Sequence, residues 1–163
     1  FDMGAASREE EMMISAENVV GKSIKAIMDL GQLLDIHEMV KKIKLSEGAK
    51  ELRMRYIENS NPYSRDKKRF GGPRERHAKK DLIEFVNEFV TSGCSRRRNF
   101  HMEAAAKAFA WMRGEDEIAT VDDMKAVAAI TMEHVILLES RSFQEKITEK
   151  DVVKRIIEET AMP

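Results

Sequence analysis

The sequence predicts an all-α helical bundle, and three observations carry that expectation. Charged residues make up 35% of the 163 positions while Gly and Pro number only eight and three, a composition that suits helices better than turn-rich sheets. Apolar residues recur at three- and four-residue spacing rather than in alternation. Polar capping residues stand ahead of most of these periodic runs.

Taken in order, Ser7 with Glu10 forms a capping-box pattern. The apolar positions Met12, Met13, Val19, Val20, Ile24, Ile27 and Met28 carry a helical region to about Leu30, with Gly21 as a break or bend. Asp35 is placed to cap a short helix with Ile36, Met39, Val40 and Ile43 on one face. Ser46 is placed to cap the next, with Leu52, Tyr56 and Ile57 inward. The stretch ENSNPYSRDKKRFGGPRERHAKK has turn residues and no apolar periodicity, and reads as an exposed loop.

Helix resumes at KKDLIEFVNEFV, where Leu82, Phe85, Val86, Phe89 and Val90 make a broad apolar face that Thr91, Ser92 and Gly93 end. A further helix carries Met102, Ala105, Phe109 and Met112 as its expected buried stripe and stops at Gly114. Thr120 with Asp123 opens a long helix through Met124, Val127, Ala128, Thr131, Val135 and Leu138. Thr148 with Asp151 opens a last one.

Cys94 is the only cysteine, which excludes an internal disulfide and any cysteine-rich zinc site. His37, His77, His101 and His134 are scattered without a ligand pair, so no metal site is expected; His134 reads as a partly buried structural histidine and Trp111 as packing. No apolar run approaches the roughly 20 residues that span a bilayer, and the N-terminus lacks signal-peptide blocks, so a soluble cytoplasmic protein is expected. The eleven methionines suit an adaptable core. GKS at 21–23 ends like a phosphate loop, but Ala16 stands where that motif needs Gly and no strand precedes it.

The net charge of −1 conceals a division. Residues 1–40 carry three basic and eight acidic side chains, 41–101 carry seventeen and eight, and 102–163 carry eight and thirteen. Two groups stand out in the basic middle. Arg65, Lys67, Lys68, Arg69, Arg74, Arg76, Lys79 and Lys80 form one, open to a nucleic-acid reading or to simple solvation, since an aromatic stacking platform is missing. Arg96, Arg97 and Arg98 form the other, at the start of a helix, where the dipole disfavours cations. Gly93 and Ser95 precede them, and free amides at a helix start with added guanidiniums suit a phosphate. Pairing with surface carboxylates is the plainer alternative.

The order of these pieces resembles the C-terminal helical lid of AAA+ ATPases, in particular the MoxR-like branch. FD with SREEEMMI at the start, LLDIHEMVKKIKLSEGAKELRMRYIEN, and GCSRRRNFHMEAAAKAFAWMRGEDEIATVDDMKAVAAITMEH carry the resemblance, over roughly residues 1–138. Gly93, Cys94, Ser95, Arg96 and Arg97 follow the family's GxSxR element, which puts Arg97 on the sensor 2 position. The chain departs from the pattern at Arg96, where Pro is usual, at Glu115, where Arg is expected, and at Val135, which follows His134 in place of Arg.

The resemblance implies a lid domain over 1–138 with a basic insertion at about 60–80, and a helical extension over 139–163. It implies an ATP-hydrolysing protein when intact, using ATP and Mg2+ held chiefly by an upstream core, with Gly93, Ser95, Arg96 and Arg97 near the nucleotide and Arg97 acting on it. Ring homo-oligomers and protein clients that are remodelled or assembled are implied partners. A chain that begins at Phe1 without Walker A or Walker B elements is expected to be a fragment, not catalytic alone. The other reading is a stand-alone helical module that binds nucleic acid through the basic middle.

Overall fold

A computed structural model describes residues 26–62, 78–115 and 117–163. The expected Ser7 cap, the helical run to Ile24, the GKS segment, and Arg65 to His77 lie outside the described residues. Contacts divide the chain into Phe1–Ile36 and His37–Pro163. Helix α1 spans Leu30–Lys42.

The start of α1 corrects the expectation at Asp35. The backbone N–H of Gln32 donates to Asp29 Oδ1 at 2.8 Å and that of Asp29 donates to Gln32 Oε1 at 2.9 Å, a reciprocal cap ahead of Asp35 in the chain. Asp35 therefore lies inside the helix, where Ile36 and Val40 are half-buried and Met39 is exposed.

Within His37–Pro163, α2 (Glu47–Asn59) starts as expected: Ser46 Oγ accepts from the Ala49 N–H at 3.2 Å, and Leu52, Tyr56 and Ile57 are buried. Helix α3 (Lys80–Phe89) buries Leu82, Val86 and Phe89. Helices α4 (Arg98–Met112) and α5 (Val121–Met132) pack on each other more extensively than any other pair, and α6 (Ser140–Gln144) and α7 (Glu149–Glu159) complete the set. Both expected capping boxes are present, Thr120 with Asp123 on α5 and Thr148 with Asp151 on α7.

Two short strand pairs interrupt the helices. β1 (Lys44–Leu45) lies parallel to β3 (Ile118–Ala119), with Lys44 opposite Ile118. β2 (Val90–Ser92) lies antiparallel to β4 (Leu137–Leu138), with a register irregularity between Val90 and Ser92. Thus Thr91 and Ser92 are strand residues and not only a helix stop. The helix of Met124 ends at Met132, followed by a 3-10 turn, Glu133–Val135, so Val135 and Leu138 lie beyond it. His134 is exposed on that turn, not partly buried.

The stripe expected on α4 is also displaced. Met102, Ala106 and Ala110 are buried, whereas Ala105 is half-buried, Phe109 is at the surface and Met112 is 69% exposed. Short alanine side chains let α4 approach α5 closely, because interaxial distance follows the side chains at the contact. Met124, Val127, Ala128 and Thr131 form the buried face of α5. Helix α7 adds Val152, Val153 and Ile156 to the same core, and the Arg155 guanidinium lies 4.3 Å from the centre of the Phe85 ring. Tyr56 is fully buried among these residues, and burial pushes its phenol up to about 12.

Candidate anion site at the start of α4

The arginine run sits on a strap whose root is buried and whose tip is exposed. Gly93 and Cys94 are buried, Ser95, Arg96 and Arg97 are exposed, and Arg98 is intermediate. The root is held by the end of α2. Cys94 donates its backbone N–H to Ser60 Oγ at 2.9 Å, and its carbonyl accepts from Asn61 Nδ2 at 2.9 Å. Ser60 Oγ also donates to the Ile57 carbonyl at 2.8 Å, and Asn61 Nδ2 donates to the same carbonyl at 2.7 Å.

Glycine at 93 is required by this approach. A Cβ there would stand 2.1 Å from the Ser60 carbonyl oxygen and 2.7 Å from its Oγ, distances no real side chain tolerates. Burial pushes the Cys94 thiol up, with the Ser60 hydrogen bond and the Arg98 charge working weakly against it. Cys94 is a small buried packing residue rather than a reactive thiol.

The residues ENSN therefore belong to the body of the fold and not to the loop in which the sequence places them. Asn59, Ser60 and Asn61 are 2%, 0% and 9% exposed. Sequence reasoning passed over them as site residues because Asn and Ser before Pro are ordinary turn formers. The available signal was Tyr56 and Ile57 just upstream, which carry the buried face of α2 to its last turn.

The expectation of free amides at the start of α4 is corrected. Arg98 N–H donates to the Ser95 carbonyl at 2.9 Å, Asn99 to Arg96 at 3.2 Å and Phe100 to Arg97 at 3.2 Å, so three amides of the first turn are already engaged. Among the described residues, no side-chain cap hydrogen bond is made at this helix start. These three amides are therefore not offered to an anion. Arg97, at the N-cap, has no side-chain hydrogen bond or ion pair among the described residues, and Arg96 does have a partner.

Of the basic group between residues 65 and 80, only Lys79 and Lys80 are described. Lys79 is the N-cap of α3, and Lys80 lies 3.4 Å from Glu84 in an exposed ion pair. Among the described residues, no three His, Cys, Asp or Glu side chains converge as metal ligands, and no helix is long and apolar enough to cross a membrane.

Comparison with known proteins adds two findings. Residues 84–156 match the family model of the AAA lid domain, a span that includes the strap, α4, α5 and α6 and extends past residue 138 into α7. A crystal structure from Cytophaga hutchinsonii, titled as that of "a putative ATPase", has the same fold, with a TM-score of 0.75 at 16% identity. The alignment covers 99% of this chain and 45% of that one, so this chain spans less than half the length of that protein. No curated protein matches the chain.

Proposed function

Because residues 84–156 of this chain form an AAA lid domain, we propose that it is the nucleotide-sensing lid of a MoxR-like AAA+ ATPase, with Arg97 as the sensor. The observation that carries this reading is an exposed guanidinium, without a side-chain partner among the described residues, on a backbone anchored into the core three residues earlier. An anchored strap positions a charge, and an unpaired guanidinium offers it to an oxyanion in bidentate fashion.

ATP with Mg2+, held by a core domain upstream, supplies the phosphoanhydride. Arg97 contributes N–H donors and positive charge to phosphate oxygens, the electrostatic share of phosphoryl transfer. Gly93 and Ser95 shape the strap, and Arg96 lies beside the sensor. The lid rotates when that contact is lost, a shift between two packings that passes the nucleotide state to neighbouring subunits of a ring and on to protein clients.

In the intact ATPase, Arg97→Ala is expected to lower ATP turnover about a hundredfold, a magnitude usual for one charged donor to a transition state. Arg96→Ala and Arg98→Ala should each cost far less. Full turnover in Arg97→Ala would reject the sensor assignment, and a large loss in Arg96→Ala or Arg98→Ala instead would move the sensor by one position.

A further inference from the structure

We infer that Ser60 and Asn61 are positioning residues for Arg97, acting through the backbone of Cys94. The inference rests on reading Arg97 as the phosphate sensor. Two adjacent side chains at the end of α2 take both backbone groups of a single residue, the N–H and the carbonyl of Cys94. Each also donates to the Ile57 carbonyl, which ties the anchor to the last turn of α2. Both side chains are buried, where polar groups are costly unless their bonds are made.

Arg97 follows Cys94 by three residues, and the Arg98 N–H to Ser95 carbonyl bond of 2.9 Å closes the turn between them. Gly93 lets the strap lie against the Ser60 carbonyl itself, so the contact is backbone to backbone with no side chain to yield. The side chain of Arg97 has its own rotatable bonds, but its Cα follows an anchored residue by only three positions. Asn61 and Ser60 touch no nucleotide; they decide where the arginine begins its reach.

Two measurements on Ser60→Ala and Asn61→Ala test this. Amide hydrogen exchange on the 163-residue chain is expected to accelerate at least tenfold at residues 94–99, with the amides of α5 unchanged. In the intact ATPase, each variant is expected to lower turnover about tenfold on its own but less than twofold when combined with Arg97→Ala, the non-additivity of residues acting through one group. Ser60→Ala removes a single oxygen and serves if Asn61→Ala fails to fold. Unchanged exchange at the strap, or the same fractional loss with and without Arg97, overturns the inference while leaving the sensor in place. Full turnover in Arg97→Ala alone rejects the sensor reading and this inference with it.

Discussion

The two ends of α4 each carry an arginine, and they differ in what the fold provides for it. At the C-terminal end, Arg113 Nε and one terminal nitrogen reach the two carboxylate oxygens of Asp123, each at 3.0 Å. Asp123 is 1% exposed and closes the capping box of α5, accepting from the Thr120 N–H at 2.7 Å and its hydroxyl at 2.9 Å. Burial opposes its ionisation, but the Arg113 guanidinium and both Thr120 donors outweigh that and hold its carboxyl below the usual range. At the N-terminal end the backbone is pinned and the side chain of Arg97 has no such partner among the described residues. The charge at one end is paired inside the fold, while the charge at the other sits on a stretch of chain held through its backbone.

This contrast can be broken from either end. The largest effect is expected for Gly93→Ala, because the new Cβ meets a backbone oxygen at 2.1 Å and the strap must leave the end of α2. A loss of about 3 kcal/mol in denaturant unfolding is expected, the upper range for overpacking. A loss under about 1 kcal/mol would mean that the strap yields easily and anchors nothing.

Asp123→Asn is expected to cost about 2 kcal/mol at neutral pH, since a hydrogen bond to a charged acceptor exceeds a neutral one by roughly 1 kcal/mol and Asp123 accepts several. Its pH dependence gives the sign. The folded pKa of Asp123 lies below the unfolded one, so its stabilisation is complete above the unfolded value, about 4, and is lost as pH falls through the folded one. Melting curves of the two proteins should be furthest apart near pH 7 and converge below pH about 4. A constant separation would show that the carboxylate charge is not what stabilises that corner.

The smallest effect belongs to Arg97→Ala in the isolated chain, where melting should show a change within about 0.5 kcal/mol, as for exposed positions without partners. A clear destabilisation would make Arg97 a structural cation like Arg113 and remove the contrast.

The legible parts of the fold were those whose cause is local. Ser46, the Thr120–Asp123 and Thr148–Asp151 pairs and Gly114 act on amides or carbonyls within a few residues, and all four stand as expected. Gly114 takes a φ of 90° while Glu115 N–H reaches the Ala110 carbonyl and Gly114 N–H the Trp111 carbonyl, the Schellman closure that a left-handed glycine permits. What stayed hidden depends on distant partners. The buried stripe of α4 runs through alanines because α5 comes close, and large residues such as Met112 misled by their hydrophobicity. Likewise β2 exists only because Leu137 and Leu138 return beside it.

The candidate site was half legible for the same reason. The position of Gly93 and the arginines in a turn before a helix could be read from GCSRRR, but the grip on Cys94 spans 33 and 34 residues of chain. Asn61 and Ser60 have no motif that announces such a partner.

The end of α2 holds more than the strap. Asn59 Nδ2 donates to Thr160 Oγ1 at 2.9 Å, and Thr160 also bridges to Ala78. Asn59 and Ala78 therefore lie beside one common neighbour, so two positions far apart in the sequence are each fastened by a contact of their own. A single threonine just past α7 thus acts as a clasp on two distant positions, one beside the root of the strap and one at the entry to α3.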